Sequence, residues 1–204
     1  LRAGARRIAK TRIQSADGRI MNTPTHLVCA ACLAQAVARS NLSLFHPAST
    51  RRRILILSCL CVFLGLLSHF LLDLLPHSAW IARITWFKPL PYAWLIPEAL
   101  IGLAVALPVL WFAGQHTRYV VLGMVGGLYP DVEKVLSVDM HIPDAFVLFD
   151  WHSKYLTSRD GGLPVPLLVG FEVCLVVVCV IAVWRMGQTP AAAMQRSPVD
   201  APEV

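Results

Sequence analysis

Apolar residues dominate this chain in four long runs, separated by shorter polar stretches rich in arginine, proline and histidine. Residues 27–38, LVCAACLAQAVA, are short for a membrane crossing unless the helix is counted from Thr23 to Ala38. Residues 54–75, ILILSCLCVFLGLLSHFLLDLL, are long enough to cross a hydrocarbon core of about 30 Å at about 1.5 Å per residue. Residues 93–113 form a similar run, interrupted by Pro97, Glu98 and Pro108, and residues 163–184 form the last, closed by Arg185. The Gly-rich segment from Tyr119 to Tyr129 is weaker, and its length predicts a half-helix or a short buried span. The pattern therefore predicts an all-α integral membrane helical bundle occupying residues 21–186, with four full or near-full spans plus a short half-helix. The Pro/Ala-rich tail at residues 187–204 is expected to be disordered.

Composition supports that reading. The chain has 204 residues, of which 56% are hydrophobic and only 15% charged, and its mean hydropathy is +0.61. A water-soluble domain carries about 25% charged and about 45–50% apolar residues. Disorder needs the opposite balance again. The formal charge of +6 does not describe a nucleic-acid-binding face, because six of the 18 basic residues lie before Met21 against one acid, Asp17. Without that segment the remaining chain carries a charge of only about +1. Residues 1–20 contain no apolar period that buries a face, and they are expected to lie outside the fold as a basic arm or as sequence upstream of a chain that starts at Met21. All six cysteines sit inside apolar stretches, so they read as small core residues rather than a disulfide framework. The Cys29-x-x-Cys32 pair has metal-like spacing, but no second pair in a polar loop completes a site.

Arginine placement gives an orientation. Arg39 and the Arg51-Arg52-Arg53 triplet assign the loop between the first two spans to the cytoplasm, and Arg118 and Arg185 fit the same side. The second span then runs outward and carries His69, Asp73 and His77 to the external face, where His26 starts the first span.

The chemistry concentrates there. In Ser68-His69-Phe70-Leu71-Leu72-Asp73-Leu74-Leu75-Pro76-His77, His69 and Asp73 are one helical turn apart on one face, and His77 continues the row. Ionisable groups inside an apolar span are costly and mark functional candidates. Imidazole plus carboxylate suits zinc or another first-row divalent ion, and the plainer alternative is a His–Asp hydrogen bond that ties helices together. Asn22-Thr23-Pro24-Thr25-His26 reads as a helix start, with Thr23 as the cap and Pro24 in the first position, so His26 falls in the first turn. Gly126-Gly127-Leu128-Tyr129-Pro130-Asp131-Val132-Glu133 reads as a stiff Pro-Asp turn. It offers Asp131 as a ligand or a cap, and Glu133 as a further ligand or general base. Within the polar stretch 139–160, His152 is a ligand candidate from a loop and His141 a poorer one; His46 and His116 lie on the opposite side. No phosphate-binding glycine loop, Gly-x-Ser-x-Gly elbow or HExxH signature is present.

The start MNTPTHL, the segment GLLSHFLLDLLPH and the GGLYPD element together resemble the membrane-bound metal-dependent hydrolases of the YdjM-like family. The resemblance covers scattered motifs between about Met21 and His152, with the elements in a different order. His152-Ser153 is the nearest counterpart to that family's His-Arg-Gly-x-x-His element. The resemblance implies that His26, His69, Asp73 and Asp131 are the metal-site residues. The residue chemistry above adds zinc as the first choice of divalent ion, His77 and His152 as further ligand candidates and Glu133 as the nearest spare carboxylate to act as base.

The expected function is an integral membrane hydrolase of a bacterial cytoplasmic (inner) membrane that uses a metal-activated water on a lipid or lipid-linked ester or phosphoester. The expected partners are the bilayer and a small-molecule or lipid-like substrate, with no nucleic acid. The alternative is a non-catalytic membrane protein, a small carrier or structural bundle, whose His/Asp residues bind a metal or relay protons. The topology has a direct check. A single cysteine placed at Ser49 should resist membrane-impermeant thiol reagents added outside and react only after permeabilisation; external labelling would overturn this orientation.

Overall fold

An apolar segment away from water must satisfy its own backbone groups, and a helix does so within one segment. The computed structural model describes residues 23–40, 50–75, 95–136, 147–149 and 163–188, and among them there is no strand. The described residues form five α-helices: α1 Thr23–Arg39, α2 Thr50–Asp73, α3 Leu95–Ala113, α4 Thr117–Lys134 and α5 Val165–Gln188. A short 3₁₀ turn, Gly114–His116, joins α3 to α4. Gly114 has φ +55° there, a backbone conformation that costs a side-chain-bearing residue energy. Residues 1–20, His77, His141, His152 and the tail beyond Gln188 lie outside the described residues.

Two expectations need correction. The segment around residues 119–129 is no half-helix: α4 runs unbroken for 18 residues and contains Pro130, so Pro130-Asp131 lies within a helix rather than in a turn. Its glycines face neighbouring helices, and that packing supports a helix that glycine alone would weaken. The last helix also extends through Gly187 and Gln188, the first two residues of the expected tail. Gly187 packs there against the Phe112 backbone of α3. Three segments are long and apolar enough to cross a membrane: Thr50–Asp73, Ile96–Lys134 and Val165–Gln188. The middle segment comprises α3, the turn and α4.

Contacts along the helices fix their directions. Glu98 near the start of α3 and Gly127 near the end of α4 both reach the first turn of α1, so α3 and α4 form a hairpin. His69 pairs with the level of His26, and Cys61 with Ala34, so α2 runs opposite to α1. Cys29 meets Cys179 (Sγ–Sγ 3.7 Å), and Gln35 donates from Nε2 to the Val183 carbonyl (3.2 Å), so α5 runs parallel to α1. Among the described helices, α1, α3 and α5 therefore run one way and α2 and α4 the other. Arg39, Arg51, Arg52, Arg53, Arg118 and Arg185 gather at one end of the bundle, whereas His26, His69, Asp73, Glu98 and Asp131 gather at the other.

Helix α1 packs against all four other helices. Its small residues Ala30, Ala31 and Ala34 are fully buried. The outward faces are apolar instead of polar: Leu55, Phe63, Leu100, Val178 and, at 84% exposure, Trp111 point away from the core. An outer surface of that kind suits lipid rather than water, and these helices make the chain a membrane protein.

The tightest contacts involve glycine. A Cβ on Gly65 of α2 would collide with the Gly123 carbonyl of α4 and stand 2.9 Å from the Gly127 nitrogen. A Cβ on Gly123 would stand 2.6 Å from the Ala34 Cβ, and one on Gly127 would stand 2.7 Å from the Ala30 Cβ. Gly123 and Gly127 form a small-xxx-small pair that lets α4 lie against Ala30 and Ala34 of α1, while Gly65 and Gly126 bring the backbones of α2 and α4 together. Gly65→Val should therefore destabilise the bundle by about 1–3 kcal/mol, as overpacking does elsewhere. The measurement is a lowered thermal midpoint in detergent. Gly170→Ala, with nothing within 4 Å of the new Cβ, should leave the midpoint unchanged.

Candidate metal centre

Four of the predicted ligands converge at the end of the bundle away from the arginines. His26 comes from the first turn of α1, His69 and Asp73 from the end of α2, and Asp131 from the end of α4. All four are buried, both histidines completely. Asp73 stands between the imidazoles: its Oδ1 is 3.3 Å from His26 Nε2, and its Oδ2 is 3.3 Å from His69 Nε2. Asp131 Oδ1 is 3.9 Å from His69 Nε2. The two imidazole rings stack with centroids 4.0 Å apart and planes 25° from parallel.

Local sequence explains this placement. The i, i+4 spacing puts His69 and Asp73 on one face of α2. Ser68, just before them, donates its hydroxyl to the Gly65 carbonyl (2.7 Å). This back-bonding keeps the serine hydroxyl satisfied inside the helix. The glycine contact between α2 and α4 brings the Gly127 carbonyl to His69 Nδ1 at 2.7 Å. A carbonyl only accepts, so His69 Nδ1 carries the proton and donates it.

That bond decides the chemistry of the other ring nitrogen. In the neutral tautomer Nε2 of His69 presents a lone pair, and it faces the carboxylates of Asp73 and Asp131. A lone pair held against two carboxylates is repulsive unless a cation or a proton lies between them. The same pattern, a ring N–H donated to a backbone carbonyl with the second nitrogen turned inward, orients metal-ligating histidines. His26 reinforces it. Neither of its ring nitrogens makes a hydrogen bond among the described residues, although the ring is completely buried. An orphaned buried polar atom costs about 1–3 kcal/mol.

The spacings fit a divalent ion. Donor atoms from His26, His69 and Asp73 all lie within 4.8 Å of one another. Tetrahedral coordination with bonds of about 2.0–2.1 Å places its donors about 3.3–3.4 Å apart; each imidazole stands 3.3 Å from one oxygen of Asp73, His26 from Oδ1 and His69 from Oδ2, and the three-residue set is somewhat wider than that ideal. Nitrogen and oxygen donors suit zinc or a neighbouring first-row ion. Asp131 stands a little farther out, and its Oδ2 has no hydrogen-bond partner among the described residues.

Glu133 lies on the same helix as Asp131 and is also buried. Its Oε1 accepts the backbone N–H of Phe149, while its Oε2 has no hydrogen-bond partner among the described residues. Phe149 packs edge-on against Phe70 (5.3 Å) and Tyr129 (6.0 Å), and Phe70 packs edge-on against His69 (5.8 Å). Glu133 therefore ties the segment at residues 147–149 down beside the centre. His77 and His152, the two further ligand candidates, lie outside the described residues.

Two buried carboxylates escaped the sequence reading. Glu98 on α3, which had registered only as a break in an apolar run, accepts the backbone N–H of Thr23 through Oε2 (3.1 Å). Glu172 on α5 is equally buried, inside what reads as a continuous apolar span. The available signal was the cost of an acid within such a span. All six cysteines are free thiols: Cys29, Cys61 and Cys179 are buried, Cys32 is half-buried, and Cys59 and Cys174 are exposed on outward faces.

No protein-family model, no characterised protein sequence and no solved structure matches this chain.

Proposed function

We propose that this protein is an integral membrane metal-dependent hydrolase whose centre is formed by His26, His69 and Asp73, with Asp131 beside them. The observation that carries the reading is the convergence of His26, His69 and Asp73, whose donor atoms lie within 4.8 Å of one another, with His69 Nδ1–H committed to the Gly127 carbonyl so that Nε2 is turned toward Asp73 and Asp131. The resemblance of the MNTPTHL, SHFLLD and GGLYPD elements to the YdjM-like family points the same way.

His26, His69 and Asp73 are the residues to hold a divalent ion, zinc first. When bound, the ion supplies Lewis acidity and makes water a competent nucleophile near neutral pH. Gly127 keeps His69 in one tautomer and one orientation. Asp131 Oδ2, buried and without a hydrogen-bond partner, is the oxygen we assign to take a proton from the attacking water, and Glu133 Oε2 is the second such oxygen. The rim carries exposed Leu74, Leu148 and Val132. An apolar rim around a polar centre at a helix end fits an amphiphile with its head group at the centre, and hence a lipid or lipid-linked ester or phosphoester. The arginine end faces the cytoplasm in this reading, and the membrane is a bacterial inner membrane.

A second reading keeps the centre and drops catalysis. Asp73 lies within 3.3 Å of both imidazoles, an arrangement that also passes protons between two histidines.

Metal analysis of the detergent-purified protein separates the readings. The wild type should retain about one zinc per chain, and His26→Ala, His69→Ala and Asp73→Ala should each lose it. Leu100→Ala, on the outward face, should keep it. Screening against chromogenic esters and phosphodiesters follows. Hydrolysis lost on chelation and restored by zinc supports the enzyme. Metal without hydrolysis favours the binding protein. Metal content untouched by all three alanine variants would overturn the centre itself.

A further inference from the structure

We infer that Glu98 is a positioning residue of the centre: it accepts the N–H that opens α1 and thereby fixes His26 relative to His69 and Asp73. The inference rests on the metal reading of the preceding subsection and assigns a role to a residue outside its ligand set.

The first amides of a helix have no partner within it and are satisfied by a cap. Here the sequence provides an unusual start. Pro24 has no N–H, so the donor at the head of α1 is Thr23. Its partner is remote, the carboxylate Oε2 of Glu98 at 3.1 Å, 75 positions along the chain and on another helix. A carboxylate at a helix N-terminus also meets the positive end of the helix dipole. Glu98 is only 4% exposed, and a carboxylate taken out of water at such a depth is costly unless it is paired.

The contact extends beyond one hydrogen bond. One turn further along α3, a Cβ on Gly102 would stand 3.4 Å from Leu27 Cδ1 and 4.0 Å from Thr23 Cγ2. The α3 backbone thus lies close against the first turn of α1, and Glu98 fixes where that turn begins. His26 belongs to the same turn. Its ring stacks on His69 and its Nε2 stands 3.3 Å from Asp73. From the opposite side Gly127 closes in, where a Cβ would stand 3.2 Å from the His26 carbonyl. The first turn of α1 is therefore held between α3 and α4, and on the α3 side Glu98 supplies the directional bond beside the Gly102 packing contact. Without that bond α1 can shift along its axis, and His26 is the donor that moves.

The test uses the full chain in detergent, with zinc or cobalt(II) alone as the probe. Glu98→Ala removes the acceptor, and Glu98→Gln keeps one. Glu98→Ala should weaken zinc binding about 10–100-fold, the usual cost of losing a group that orients a ligand, and should alter the visible absorption of bound cobalt(II). Glu98→Gln should restore wild-type affinity and spectrum. Thr23→Pro deletes the donated N–H while leaving the carboxylate. It should reproduce the Glu98→Ala loss, and the double variant should lose no more than either alone. Wild-type affinity and spectrum in Glu98→Ala would overturn the proposal, as would a Glu98→Gln variant as weak as Glu98→Ala. If Glu98→Ala does not fold, Thr23→Pro decides: weakened binding supports the proposal and unchanged binding overturns it. A wild type that takes up neither ion overturns the metal reading and this proposal together, whereas normal wild-type uptake with an unaffected Glu98→Ala overturns this proposal alone.

Discussion

Backbone-to-backbone approach between α2 and α4 is the constraint on which the rest of the molecule depends. Gly65 lies against Gly123 and Gly127, and Ala30 and Ala34 of α1 fill the groove beside them. In an apolar solvent, helices gain little from hiding apolar surface from water, so close packing and interhelical hydrogen bonds carry the association. Small residues allow both. The contact brings a main-chain carbonyl within reach of the His69 ring and sets Asp131 beside the same ring. Larger side chains at these positions would leave the individual helices intact and separate the donors.

The polar groups are sorted by depth and by end. Arginines collect at one end, where long side chains reach a membrane surface. His26, His69 and the buried carboxylates collect at the other, where the helix ends converge, while His116 stays in the turn at the arginine end. Gln35 is the exception, fully buried near the arginine end, with its amide donated to the Val183 carbonyl. It ties α1 to α5 at the level where the thiol contact between Cys29 and Cys179 gives way to the exit of both helices. The centre is thus held by directional bonds, and the body of the bundle by shape.

How much of this was legible in the sequence follows from what each residue does. Continuous apolar runs identify α2 and α5 directly, because nothing but length and hydropathy is needed to recognise them. His69 and Asp73 were legible because their spacing matches the helical period. His26 was legible because Thr23-Pro24 marks a helix start. Helix α4 was misread because Gly126, Gly127 and Pro130 are breakers in water, where weak propensity ends a helix. Inside this bundle the glycines are contact surfaces, and the helix runs past Pro130 to Lys134. Asp131 nevertheless stands beside the centre, 3.9 Å from His69 Nε2, because Gly127 and Asp131 are one helical turn apart on one face of α4. Glu98 was missed because its partner lies on another helix, and a single sequence carries no trace of which remote amide a carboxylate will meet.

The three donors of the centre belong to α1 and α2, and their neighbour to α4, so no helix inserted alone can hold the ion. Secondary structure forms first within the bilayer and association follows, and only the associated state has the site. An ion that binds the assembled form and not the separated helices adds RT ln(1 + [L]/Kd) to assembly, about 2.7 kcal/mol when its free concentration is 100 times Kd. In the metal reading, occupancy of this site would then be a record of correct assembly. A chain whose hairpin of α3 and α4 had docked on the wrong face of α1 would be all-helical and embedded in the membrane, yet would lack the site.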